Sequence, residues 1–103
     1  MPTFERHCQD CINELGEPFE EVHLWLDEFN GDHGPSHRDA RHHERAIITA
    51  QEKWGIKAAK AVEIHIKADC KGNIPTFEQC KLQALICNEE IFDILMYEFG
   101  DGK

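Results

Sequence analysis

Serine and tyrosine are almost missing: Ser36 and Tyr97 are the only ones in 103 residues, so a Ser-His-Asp hydrolase has scarcely a nucleophile to use. No apolar run approaches the roughly 18 residues of a membrane span, and residues 1–10 lack the basic-then-apolar order of a secretory signal. A soluble, cytoplasmic protein is the expectation. The seven glycines are dispersed and form neither a Walker-type nor a dinucleotide-type loop. Basic residues are few, 11 against 20 acids, for a net charge of −9. That balance excludes passive adhesion to phosphate backbones, so direct nucleic-acid binding is not expected, and it leaves a small molecule or a basic protein as partner. Cysteine is present but odd in number, with Cys8, Cys11, Cys70, Cys80 and Cys87. Without an export signal, reduced thiols are the expectation rather than a closed disulfide framework.

What is there supports a folded domain. Apolar residues make up 41% of the chain and charged residues 30%, enough for one core and too short a chain for two ordinary domains. Strand-like alternation is hard to find, while apolar residues recur at three- and four-residue steps between Gly, Pro and Asn. The pattern predicts an all-α, single-domain bundle of four to five helices. Thr3 caps a first helix that Gly16 closes, and Pro18 opens a second carrying Phe19, Val22, Leu26 and Phe29 on one face. Ser36 caps a long third helix ending at Trp54, with Ala40, His43, Ile47 and Ala50 on its apolar stripe. An alanine-rich fourth helix covers residues 57–69, and Thr76 caps a last one. Pro-Thr-Phe-Glu occurs at residues 2–5 and again at 75–78, a repeated solution to helix capping.

Charge is uneven along the chain, with balances of −8 over residues 1–35, +3 over 36–72 and −4 over 73–103. The basic middle also holds most of the seven histidines. His23 with Asp27 and His65 with Asp69 are each four apart, which puts an imidazole and a carboxylate on one helix face twice over. Between the pairs, His37, His42 and His43 add further imidazoles. Helix-borne His and carboxylate groups facing a bundle interior are how helical proteins hold zinc, iron or manganese. The candidate ligands are His23, Asp27, His43, His65 and Asp69, with His37 as a further ligand or a group behind them. Arg38 and Arg41 are candidates for holding a phosphate or carboxylate of a substrate.

Other metal readings are narrower. His43-Glu44 begins like the zinc-protease helix, but Ile47 stands where the second His should be. Cys8-x-x-Cys11 with Cys80 and Cys87 offers a four-thiolate site joining the first and last helices, while a thioredoxin-like use lacks its preceding strand.

The ordered set His23-Leu24-Trp25-Leu26-Asp27, His37-Arg38, His42-His43, Ala46-Ile47, Glu63-Ile64-His65-Ile66 with Asp69, then Gly72 and Ile74-Pro75-Thr76 resembles a family of small uncharacterised prokaryotic and phage-borne helical proteins. The resemblance covers about residues 22–80 and implies a shared site centred on His23, Asp27, His37, His43, His65 and Asp69. It implies no reaction.

The expectation is therefore a small helical divalent-metal-binding protein. Metal-assisted hydrolysis of a small phosphorylated or amide substrate is its natural enzymatic class, with Arg38 or Arg41 stabilising developing charge. A second reading is an acidic interaction module of a phage or mobile element that blocks a basic nucleic-acid-binding partner, with structural histidines. A third gives the apolar C-terminal helix, with Ile91, Phe92, Ile94, Leu95 and Met96, to a homo-oligomer interface.

Overall fold

In the computed structural model, which describes residues 3–100, the chain is entirely helical, with no strand among those residues. Six helices of seven residues or more carry the fold: α1 (Phe4–Leu15), α2 (Glu20–Leu26), α5 (Glu44–Trp54), α6 (Ile56–Asp69), α7 (Phe77–Cys87) and α8 (Glu89–Phe99). Between α2 and α5 run two single turns, α3 (Asn30–His33) and α4 (Arg38–Arg41), with a 3-10 turn over Gly34–His37 between them. The count of four to five is thus corrected to six, and each extra boundary has a local cause.

Thr3 caps α1 as its sequence predicts, its hydroxyl accepting from the Arg6 N–H at 3.2 Å, and Gly16 closes the helix in the left-handed region at φ 84°. Thr76 and Gln79 form a full capping box on α7. The last helical stretch divides at Asn88, whose side chain accepts from the Ile91 N–H and so starts α8 afresh.

The long helix expected over residues 36–54 is broken at His42 and His43. His43 takes an extended backbone, φ −152° and ψ 174°. The freed groups find partners in the distant turn before α7: the Glu44 N–H donates to the Pro75 carbonyl at 3.1 Å, and the Glu44 carboxylate accepts from the Phe77 N–H at 3.3 Å. A helix interrupted here loses local bonds and regains them across the fold.

α5 and α6 form the most extensive helix pair. Ala46 and Ala50 on α5 and Ala58 and Ala61 on α6 are fully buried, and their small side chains let the two backbones approach. Ile91, Leu95 and Phe99 of α8 turn into the core as well. Ile91, Leu95 and Phe99 are thus spent within the chain, while Phe92, Ile94 and Met96 of the same helix are half-buried. The exposed aliphatic residues of this region lie on α7 instead, at Leu82, Leu85 and Ile86. No helix among the described residues is long and apolar enough to cross a membrane.

Candidate metal centre

Much of the remaining interior is filled by imidazoles. His7, His23, His37, His42, His43 and His65 are all at most 2% exposed. Five of them gather around two carboxylates. His65 and Asp69 come from one face of α6, as their spacing predicts. Asp27 sits where α2 ends, His42 at the break before α5, His37 in the 3-10 turn, and His7 and His23 on the inner faces of α1 and α2.

Four donor atoms from three parts of the chain converge. His42 Nε2 lies 2.9 Å from Asp69 Oδ2 and 3.5 Å from Asp27 Oδ1; His65 Nε2 lies 3.2 Å and 3.3 Å from the same two oxygens. All four atoms fall within 4.8 Å of one another. Ligands bound to zinc tetrahedrally at about 2.0–2.1 Å stand roughly 3.3–3.4 Å apart. The four measured edges bracket that value, so the group has the size of a divalent-metal site.

Around this group the other imidazoles are held closely. His7 stacks on His65 with ring centroids 3.6 Å apart, and its Nε2 is 3.3 Å from Asp69 Oδ1. His23 Nδ1 meets His65 Nδ1 at 2.9 Å. His37 donates from Nδ1 to the Gly34 carbonyl at 2.6 Å, which leaves its Nε2, 3.0 Å from Asp27 Oδ1, to meet the carboxylate as an imidazolium or across a shared cation. Four of the six buried side-chain atoms without a hydrogen-bond partner belong here: His7 Nδ1, His23 Nε2, His42 Nδ1 and Asp69 Oδ1. Such atoms carry a desolvation penalty, and their concentration at one place marks a site retained for something other than stability.

The electrostatics run the same way. Burial pushes His23 and His42 down to about 4, so both are neutral imidazoles, the form that binds metal, near pH 7. For His65 burial works in the same direction, but hydrogen bonds to Asp27 and Asp69 outweigh it and raise the pKa. Burial also opposes ionisation of Asp27 and Asp69, yet the surrounding imidazoles hold both well below the usual carboxylate range. Two ionised carboxylates in a largely buried site call for positive charge there.

A pH dependence follows. His23, His42 and His43 each have a folded pKa of about 4 against an ordinary 6.5. Groups depressed in this way contribute stability that is present above pH 6.5 and is lost as pH falls towards 4, because the unfolded chain takes up protons that the folded one refuses. His65 opposes them, its contribution being complete below its unfolded pKa and lost as pH rises through the folded one. The carboxylates contribute above about 3.8 and are lost only below it. Asp39, which burial pushes up to about 6, also opposes the three lowered histidines between pH 6 and 3.8; with three groups against two, the urea midpoint of metal-free protein is expected to fall from pH 7 to pH 4.5. An unchanged midpoint would contradict the neutral, buried state of these rings.

Of the ligands expected from sequence, the structure brings Asp27, His65 and Asp69 into the four-atom group and places His37 and His23 directly against it. His43 stands apart: its Nε2–H donates to the Ala40 carbonyl at 3.0 Å, and its ring packs edge-on against Phe77 and Phe99. The helix break turns His42 to the cluster and His43 to the core. His7 escapes a search for His-x-x-x-Asp pairs; the available signal was its position one turn before Cys11 on the buried side of α1.

Arg41 is committed elsewhere. It grips both carboxylate oxygens of Glu98 at 2.9 and 2.6 Å and donates to Glu28 Oε1 and the Trp25 carbonyl, each at 2.7 Å. A guanidinium so occupied serves the fold and is not free to hold a substrate anion. Arg38 opens on a different cavity, which it shares with Asp39, His42, Cys70, Cys80 and Cys87. Cys80 and Cys87 line that cavity while Cys8 and Cys11 lie on α1; the described residues contain no thiol group of metal-site dimensions. Burial pushes the Cys11 thiol to about 11 and Cys80 to about 12, away from the thiolate form.

Fold and site together define a class: an all-α protein with a largely buried Asp27/His42/His65/Asp69 group able to hold a metal ion. No family model, curated protein or solved structure matches the chain.

Proposed function

We propose that this protein binds one divalent metal ion, zinc, iron or manganese, through Asp27, His42, His65 and Asp69, and uses it for hydrolysis of a small substrate. The observation that carries the reading is the convergence of four donor atoms, with the four His–Asp separations between 2.9 and 3.5 Å and every pair within 4.8 Å. Two imidazoles and two carboxylates are nitrogen and oxygen donors, suited to these metals and not to copper(I). Support for a hydrolytic role comes from access. A cleft of about 440 Å³ reaches the group and is lined by His7, His23, Asp27, His37 and Asp69. Asp27, whose side chain is 30% exposed, would be the ligand nearest solvent, and a metal held by these four residues would supply an activated water as nucleophile.

The test is elemental mass spectrometry on untagged protein purified without added metal or chelator, then after reconstitution with each metal. About one tightly held ion per chain is the expected result. No uptake after reconstitution would overturn the reading.

A further inference from the structure

We propose that His23 is a positioning residue and not a ligand: it accepts the Nδ1 proton of His65 and so presents His65 Nε2 to the metal. The inference deepens the metal reading above and rests on it.

The contact between the two rings comes first. His23 Nδ1 and His65 Nδ1 stand 2.9 Å apart on rings that are both fully buried. The ring centroids are 5.1 Å apart and the planes differ by 22°; that spacing is close to the widest a 2.9 Å N···N contact allows, so both nitrogen axes run nearly along the line joining the rings. This is the alignment of a hydrogen bond. Two lone pairs, or two N–H groups, would repel at this distance, so the contact holds one proton.

Which ring carries that proton is decided at the far side of His65. Its Nε2 lies 3.2 Å from Asp69 Oδ2 and 3.3 Å from Asp27 Oδ1, where it offers a lone pair to a metal. A neutral imidazole bound through Nε2 keeps its proton on Nδ1, so His65 Nδ1 donates and His23 Nδ1 accepts. The His23 proton is left on Nε2, with the Pro18 carbonyl beside the ring as an acceptor outside full hydrogen-bond geometry. Neither nitrogen of His23 belongs to the four-atom group.

The surroundings keep the pair in register. His7 stacks on the His65 ring at 3.6 Å, and Phe4 meets the His23 ring edge-on at 6.3 Å. Val22 and Leu26, both buried, anchor the stretch of α2 that carries His23. A ligand imidazole normally donates its second N–H to a carboxylate, carbonyl or water, and loss of that partner costs about 10–100-fold in metal affinity. Here the partner is a neutral imidazole. It fixes the orientation of His65 while lending it less electron density than a carboxylate would, which leaves more positive charge on the metal to acidify a bound water.

The test uses the full chain with zinc as the added metal. With the histidine nitrogens isotope-labelled, NMR of the zinc-loaded protein is expected to show zinc on His65 Nε2 and a slowly exchanging proton on His65 Nδ1, coupled across the hydrogen bond to the His23 nitrogen. Competition against a chelating dye is expected to show zinc held about 10–100-fold more weakly by His23→Phe, which fills the space without an acceptor. His23→Asn, whose carbonyl oxygen stands where Nδ1 stood, is expected to bind zinc at least about fivefold more tightly than His23→Phe. Zinc on His65 Nδ1, a His65 proton with no coupling to His23, wild-type affinity in His23→Phe, or an asparagine variant no better than the phenylalanine one each overturns the inference. Should the variants not fold, the NMR of wild-type protein decides. Absence of zinc uptake overturns the metal reading and this inference with it, whereas zinc bound with any of those outcomes overturns this inference alone.

Discussion

Asp69→Asn is expected to weaken metal binding by more than a hundredfold and to abolish metal-dependent stabilisation. Asp69 is the hub of the site: Oδ2 lies 2.9 Å from His42 and 3.2 Å from His65, and Oδ1 lies 3.3 Å from His7. Changes that only disturb groups behind the ligands typically reduce affinity about 10–100-fold, and loss of a ligand's charge exceeds that. Asparagine keeps the shape but removes the negative charge and turns one oxygen into an N–H₂ that repels a cation. In wild-type protein, metal at about a thousand times its dissociation constant adds roughly 4 kcal/mol to stability, because only the folded chain presents the site. Thermal melts with and without metal, together with competition against a chelating dye, measure both effects. An asparagine variant that folds, keeps wild-type affinity and still gains stability on metal addition would remove Asp69 from the site.

His42→Gln and His43→Gln are expected to behave oppositely although the residues are neighbours. His42 presents Nε2 to both carboxylates, so its loss removes a ligand and the bound metal. His43 packs 4.6 Å from the Phe99 ring centroid and donates to the Ala40 carbonyl; its loss should leave metal content unchanged and reduce stability by about 1–3 kcal/mol through an imperfectly filled and hydrogen-bonded core position. Metal content by elemental analysis and urea midpoints separate the two outcomes. If His43→Gln lost the metal while His42→Gln kept it, the helix break would be placed the wrong way round.

The same two residues show where sequence reading stops. On an unbroken helix over residues 36–54, His43 falls on the stripe of Ala40 and Ile47, and it is indeed buried. The stripe correctly marks it as interior but does not say which part of the interior it reaches. The break rests on the Pro75 carbonyl and the Phe77 N–H, groups more than thirty positions away, and no local pattern announces them. Arg41 is a similar case. Its basic charge beside histidines points to an anion, yet Glu98, 57 positions on, completes the fork that occupies it. His65 and Asp69 were legible because both lie on one continuous helix, where a four-residue step is a geometric statement.

What the sequence determined by itself is the local part: an all-helical chain, the Thr3 and Thr76 caps, the Gly16 stop, and the carboxylate and imidazole on one face of α6. Each follows from backbone hydrogen bonding and side-chain periodicity within a few residues. The tertiary structure alone decided that His42 and not His43 meets the carboxylates, that His7 joins them, and that Arg41 does not. Those outcomes depend on where helices stop and how they cross, and both are settled by partners supplied from the far side of the fold.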